Sequence, residues 1–194
     1  MKFLKPHNKE DELLARAKLG SDIAIREIVD SYSKYAFTIA FGVLANREDA
    51  EEIVQDAFLK AFTSLDKFKQ TSKFSTWLYK IVYHTALNKY QSNKTISVNA
   101  TISDNLHYIP TNLQSWDNIL NNERKKYVDS ALSQLEHTDR SIITLHYIAE
   151  KSISEICEIT GYKKSAIKMR LLRSRKQLEG YFNTLLNQEI RELL

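Results

Sequence analysis

The residues best suited to chemistry are three tyrosines and their basic neighbours. From Phe74 to Lys94 the chain reads FSTWLYKIVYHTALNKYQSNK, with Tyr79, Tyr83 and Tyr90 spaced by four and seven residues. On a helix this spacing sets them on one side, bordered by Lys80, Thr76 and Leu87, with His84 and Lys89 further round. Rings one or two turns apart can stack unpaired bases while nearby cations hold phosphates. The opposite stripe, Phe74, Trp77, Leu78, Ile81, Val82 and Thr85, follows the helical period and is expected to be buried. The tyrosine stripe is therefore expected to face water, the alternative being that it covers a neighbouring helix.

A second cluster lies towards the C-terminus. Lys163 to Lys176 holds seven basic residues and no acidic one. Just before it, Ser152-Ile153-Ser154-Glu155 is a capping box that starts a helix, and Gly161 suits a left-handed stop. Cys157, Gly161 and Ile167 stand four and six residues apart, the small residue, turn glycine and buried β-branched residue of a helix-turn-helix. Its second helix would bury Ile167, Leu171, Ser174 and Leu178, and present Lys164, Ser165, Lys168, Met169, Leu172, Arg173 and Lys176, with Arg170 and Arg175 on the flanks. Cations on such a helix fit the phosphates and base edges of a major groove.

The elements that must position these groups are helices. The 194 residues include only four Gly and two Pro but ten Tyr and eight Phe, which favours long helices with few tight turns, hence an all-α chain. Residues 9 to 19 form a short helix stopped by Gly20; Ser21 caps a second helix to Leu44, and Asn46 a third to Ser64, with acidic residues in its first turn. That third helix buries Ala50, Ile53, Val54, Ala57, Phe58, Ala61 and Phe62 and turns Glu52, Gln55, Asp56, Leu59, Lys60 and Thr63 outward. A loop from Asp66 to Lys73 brings in Phe68 and three lysines, Lys69 and Lys73 among them. The helical pattern fails from Ser92 to Ser115, resumes over Trp116 to Leu132, and continues in a helix over 138 to 148. The predicted organisation is two small helical domains, 9–94 and 116–186, joined by a flexible linker at 95–115, with a short amphipathic helix over Phe182 to Leu194.

Several classes of function find no support. A single cysteine excludes an internal disulfide framework and, without neighbouring ligands, makes a poor metal site. No glycine-rich phosphate loop, paired nucleophile and base, or metal-ligand cluster is present, so no catalysis, cofactor or small-molecule substrate is expected. No apolar run is long enough to span a bilayer and the first residues lack a signal-peptide core, so a cytoplasmic location is expected. Net charge is +4, concentrated in the C-terminal cluster.

The succession DAEEIVQDAFLKAF at Asp49–Phe62, a short loop, then FSTWLYKIVYHTALNKY at Phe74–Tyr90 closely resembles the promoter-melting domain of the extracytoplasmic-function group of bacterial sigma factors. The segment from Trp116 to Tyr181 resembles the domain by which that group reads the minus-thirty-five element, matching at Ile153, Glu155, Ile156, Gly161, Ile167, Lys168, Arg170, Leu171, Arg173, Arg175 and Leu178. The resemblance implies an alternative sigma factor whose partners are core RNA polymerase (β′ clamp helices and β subunit), promoter DNA and an anti-sigma factor. It assigns core docking to Glu52, Gln55, Asp56, Leu59 and Lys60. Melting and minus-ten strand capture fall to Phe68, Lys69, Lys73, Trp77, Tyr79, Lys80, Tyr83 and His84, and minus-thirty-five contact to Lys164, Ser165, Lys168, Met169, Arg170, Arg173 and Arg175. The chain departs from the group at Tyr83-His84, where Arg-Asn is common, at Ala166 for the usual Thr, and at Met169 for a small polar residue. An alternative from the residues alone is a regulator that binds duplex DNA through the helix-turn-helix without polymerase.

Overall fold

The computed structural model describes residues 9–99 and 127–192, with side chains through 95 and 185. All regular elements among the described residues are helical. Helix α1 (Lys9–Lys18) is followed by Gly20 at φ +80°, and Ser21 caps α2 (Asp22–Leu44), its side chain accepting from the Ala24 amide. Asn46 then caps α3 (Arg47–Thr63), its Oδ1 accepting from the Asp49 amide at 2.9 Å. A single 3-10 turn, Leu65–Lys67, and a loop lead into α4 (Phe74–Asn99). After the undescribed stretch come α5 (127–133), α6 (His137–Ile143) with a π-helical turn at Thr144–Ile148, α7 (Ile153–Thr160) and α8 (Lys164–Glu192).

Helices α2, α3 and α4 pack on one another, and α6, α7 and α8 form a second group. The two groups are not held apart. α7 lies along α4, and α2 receives α6 and the π turn, so one apolar cluster runs from Ile28, Ile39 and Leu78 through to Ile142, Leu145, Ile156 and Leu171. Burying a large aliphatic side chain of this kind stabilises by about 1.5–3 kcal/mol. The close approach of α2 needs Gly42, since a Cβ there would stand 3.2 Å from the Thr144 hydroxyl. Beside it the buried Arg140 donates from Nε to the Gly42 carbonyl at 2.8 Å.

Two boundaries differ from the sequence reading. α4 continues to Asn99 instead of breaking near Ser92, because once a helix is nucleated each further residue adds one ladder hydrogen bond; Thr95 also donates to the Gln91 carbonyl at 3.0 Å. The remainder of the expected linker, 100–115, and most of the helix from Trp116 lie outside the described residues. At the other end no separate helix begins at Phe182, since α8 runs unbroken to Glu192. No proline lies between Arg175 and Glu192, and Gly180 stays within the helix instead of taking the left-handed conformation that would cap it, so the ladder continues.

Candidate nucleic-acid and polymerase interfaces

The outer face of α3 is as anticipated. Glu52, Gln55, Asp56, Leu59 and Lys60 are all exposed, Leu59 at 65% in spite of its apolar side chain. Lys89 of α4 reaches across to Glu52 at 3.0 Å and to Asp49 at 3.7 Å. The Glu52 carboxylate, followed by its own burial cost and then Asp49, sets the Lys89 ammonium, with a net upward shift of its pKa.

The tyrosine stripe does not face water. Tyr79 and Tyr83 are each only 2% exposed, Thr76 is buried with them, and Tyr90 is half-buried. The alternative of helix cover is the one the structure adopts, because α7 and the turn before it occupy this side of α4. The spacing located a face correctly but could not say what lies against it. Burial raises the pKa of both phenols; that of Tyr83 is pushed up to about 12 by burial and then Tyr162, against the opposing pull of Arg170. Both are therefore neutral across the physiological range.

Polar contacts close the junction. Glu155, the acid of the α7 capping box, accepts from the Ser152 amide at 2.9 Å and pairs with Lys73 at 3.2 Å. It also accepts from the Thr76 hydroxyl at 3.3 Å. Burial alone would raise its pKa, but the Ser152 hydroxyl and amide, Lys73 and Lys151 outweigh that and hold it at about 2. Lys151 donates to the Ser75 hydroxyl at 2.8 Å and sits 5.0 Å from the Tyr79 ring centre. Tyr90 stacks on His137 with centroids 4.2 Å apart.

The loop before α4 also differs from expectation. Phe68 is buried, with its ring 5.7 Å from Phe74 and 5.2 Å from Trp77, and so closes the bottom of the α4 core. Lys69, Lys73, Lys80 and His84 are exposed, and Trp77 is half-buried. The eight predicted strand-binding residues thus fall into an outer set of three lysines and His84 and an inner aromatic set.

On the helix-turn-helix the geometry is as read from the sequence. The capping box of α7 is complete, Gly161 holds φ +78°, and Ile167, Leu171 and Ser174 are buried. Cys157 is half-buried against the core, in keeping with a packing role. Lys164, Ser165, Lys168, Met169, Arg173 and Arg175 are exposed, while Arg170 is half-buried. Sequence reasoning missed why: Asp139 of α6, its side chain 3% exposed, binds Arg170 at 2.5 Å and Arg173 at 2.5 Å. Asp139 lies 31 and 34 residues away, so no local pattern reveals the pairing. Arg140 carried a faint signal, as a lone cation beside the apolar run Ile142, Ile143 and Leu145.

Among known families, the description of sigma-70 region 2 matches residues 28–96 and that of sigma-70 region 4 matches residues 125–178, together more than half of the chain. The extracytoplasmic-function (ECF) RNA polymerase sigma factor SigW of Bacillus subtilis is 27% identical over 172 residues, covering 85% of this chain and 92% of its own. The ECF RNA polymerase sigma-E factor of Escherichia coli K12 is 25% identical over 183 residues, covering 91% and 95%. Among solved structures, the sigma factor RpoE in complex with the anti-sigma factor NepR, from Bartonella quintana, has the same fold, with a TM-score of 0.68 at 20% identity over 81% of this chain and 96% of that one. CnrH in complex with the cytosolic domain of CnrY gives 0.64 at 21% identity over 89% and 96%. The chain belongs to the sigma-70 family, in its extracytoplasmic-function group, and is an alternative sigma factor for promoter recognition.

Proposed function

We propose that α3 docks on the β′ clamp helices of core polymerase through Glu52, Gln55, Asp56, Leu59 and Lys60. The observation that carries this is an exposed leucine in the middle of an otherwise polar face, within the region 2 match. In the same reading α8 enters the major groove at the minus-thirty-five element with Lys164, Ser165, Lys168, Met169, Arg173 and Arg175, while Arg170 braces the helix. Lys69, Lys73, Lys80 and His84 gather the phosphates of the opened minus-ten strand, and Tyr79 and Tyr83 with Trp77 stack its bases; Phe68 supports the loop from within.

Stacking on Tyr79 and Tyr83 requires α7 to leave them, so the closed pairing of the two halves is the unengaged form. Polymerase that binds α3 and α8 at separated places would part them, breaking the Glu155–Lys73 and Lys151–Ser75 contacts. Stacking in the protein returns about 1–3 kcal/mol per base, comparable with the cost of unstacking a step. The protein makes or breaks no covalent bond in this scheme; it acts in the cytoplasm, where polymerase and promoters are. The similar sigma factor RpoE is found in complex with the anti-sigma factor NepR; an anti-sigma factor that bridged the two halves of this chain would lock the closed form.

Purified protein incubated with core polymerase and genomic fragments tests the reading. Co-elution and new start sites sharing a pair of upstream motifs are expected. Tight duplex binding by the chain alone without co-elution would instead identify a polymerase-independent regulator.

A further inference from the structure

We propose that Asp139 is a positioning residue that sets which base α8 reads, by fixing the guanidinium of Arg173 in one orientation. The inference rests on α8 being the duplex-reading helix. Asp139 lies on α6, outside the recognition helix, yet both its oxygens are directed at α8. One oxygen accepts from Arg170 Nη1 at 2.5 Å; the other accepts from Arg173 Nε at 3.1 Å and Nη2 at 2.5 Å. Arg170 is held further by Glu136 at 3.8 Å and by the Tyr162 ring, 5.4 Å from its guanidinium carbon, and is half-buried. Arg173 keeps 61% of its side chain exposed, and its Nη1 takes no part in the clamp.

A guanidinium offers five N–H donors in a rigid plane. With its Nε edge occupied, the Arg173 plane can no longer swing to the nearest phosphate, and its free donors meet a base edge in one register. Asp139 also offsets one positive charge of the cluster, which lowers sequence-independent attraction to the backbone. Fixed geometry raises discrimination, and reduced charge lowers the background against which it is measured.

The test is selection of a randomised minus-thirty-five duplex library by holoenzyme made with the full chain, followed by salt titrations on the selected and scrambled duplexes. Asp139→Asn is expected to lower discrimination about tenfold and to steepen the logarithmic salt dependence by about one. Arg173→Lys on the exposed helix face keeps the charge but loses the fork; it is expected to lower discrimination by a similar factor with the salt slope unchanged, and it remains informative if Asp139→Asn does not fold. Unaltered discrimination in Arg173→Lys, or in folded Asp139→Asn, overturns the proposal. Lys168→Ala separates the two levels: it is expected to weaken binding to all duplexes alike. If it leaves upstream protection intact, α8 is not the reading helix and the proposal falls with that reading; if it weakens binding while discrimination is unchanged in the other two, only the positioning role falls.

Discussion

At the seam between the two halves, the His137 ring lies over Tyr90 in a site where a charged imidazole is poorly solvated. Burial, first, and then Arg140, Lys94 and Arg170 lower its pKa below the ordinary 6.5, with Glu136 opposing. The neutral ring is thus favoured in the closed form, and stability from this contact is complete above 6.5 and is lost as pH falls through the lowered value. The closed form is expected to loosen on mild acidification, read as lower protection factors of the α4 amides once the intrinsic slowing of exchange at lower pH is divided out. In His137→Phe, which keeps the stack and cannot titrate, that pH response should vanish; its persistence would place the titration elsewhere. At this scale the sequence was a partial guide. The exposure of Glu52, Gln55, Asp56, Leu59 and Lys60 on α3 and of Lys168 and Met169 on α8 follows from periodicity, because each depends on one helix alone. The burial of Tyr79 and Tyr83 and the clamp on Arg173 depend on α7 and α6, which are remote in the chain.

Helix α7 is short and depends on its first turn. Ser152 serves only the cap, whereas Glu155 serves the cap and the junction with Lys73 and Thr76. Ser152→Ala is expected to cost about 1 kcal/mol, a fall in Tm of a few degrees for a chain of this size. Glu155→Gln, measured alongside, is expected to cause a comparable fall and in addition to expose Tyr79 and Tyr83 to binding of a single-stranded minus-ten oligonucleotide. If both substitutions behave alike in that binding assay, Glu155 acts through the cap only. Helix starts were legible here because Ser21, Asn46 and Ser152 announce them locally. Helix ends were legible where Gly20 and Gly161 mark them, but not in α4, which overran its expected stop, nor in α8, which absorbed the tail, since neither contains a proline that would oblige it to end.

Gly42 governs how the whole molecule closes. In an isolated helix, Gly to Ala favours α2 by about 1 kcal/mol. Here the added methyl would meet the buried Thr144 hydroxyl at 3.2 Å, on the side where α2 accepts the π turn. Gly42→Ala is therefore expected to keep each half folded and push the pair apart. Small-angle scattering should show a larger radius of gyration and, in the same sample, single-strand binding should rise; an unchanged radius would mean that Thr144 yields instead. The packing of the two halves was the least legible feature, because an all-helical pattern fixes what each helix buries but leaves open whether two groups of helices share a core.

That shared core bears on how many copies of the protein are of use to the cell. A genome offers roughly 10⁶–10⁹ weak sites to any exposed basic and aromatic surface. On the proposed reading, with Tyr79 and Tyr83 under α7 and two arginines held by Asp139, a copy not yet on polymerase would compete less well for those sites than the opened form. Fewer molecules would then be lost to idle chromosome, and a small rise in synthesis would be passed on to polymerase with less dilution.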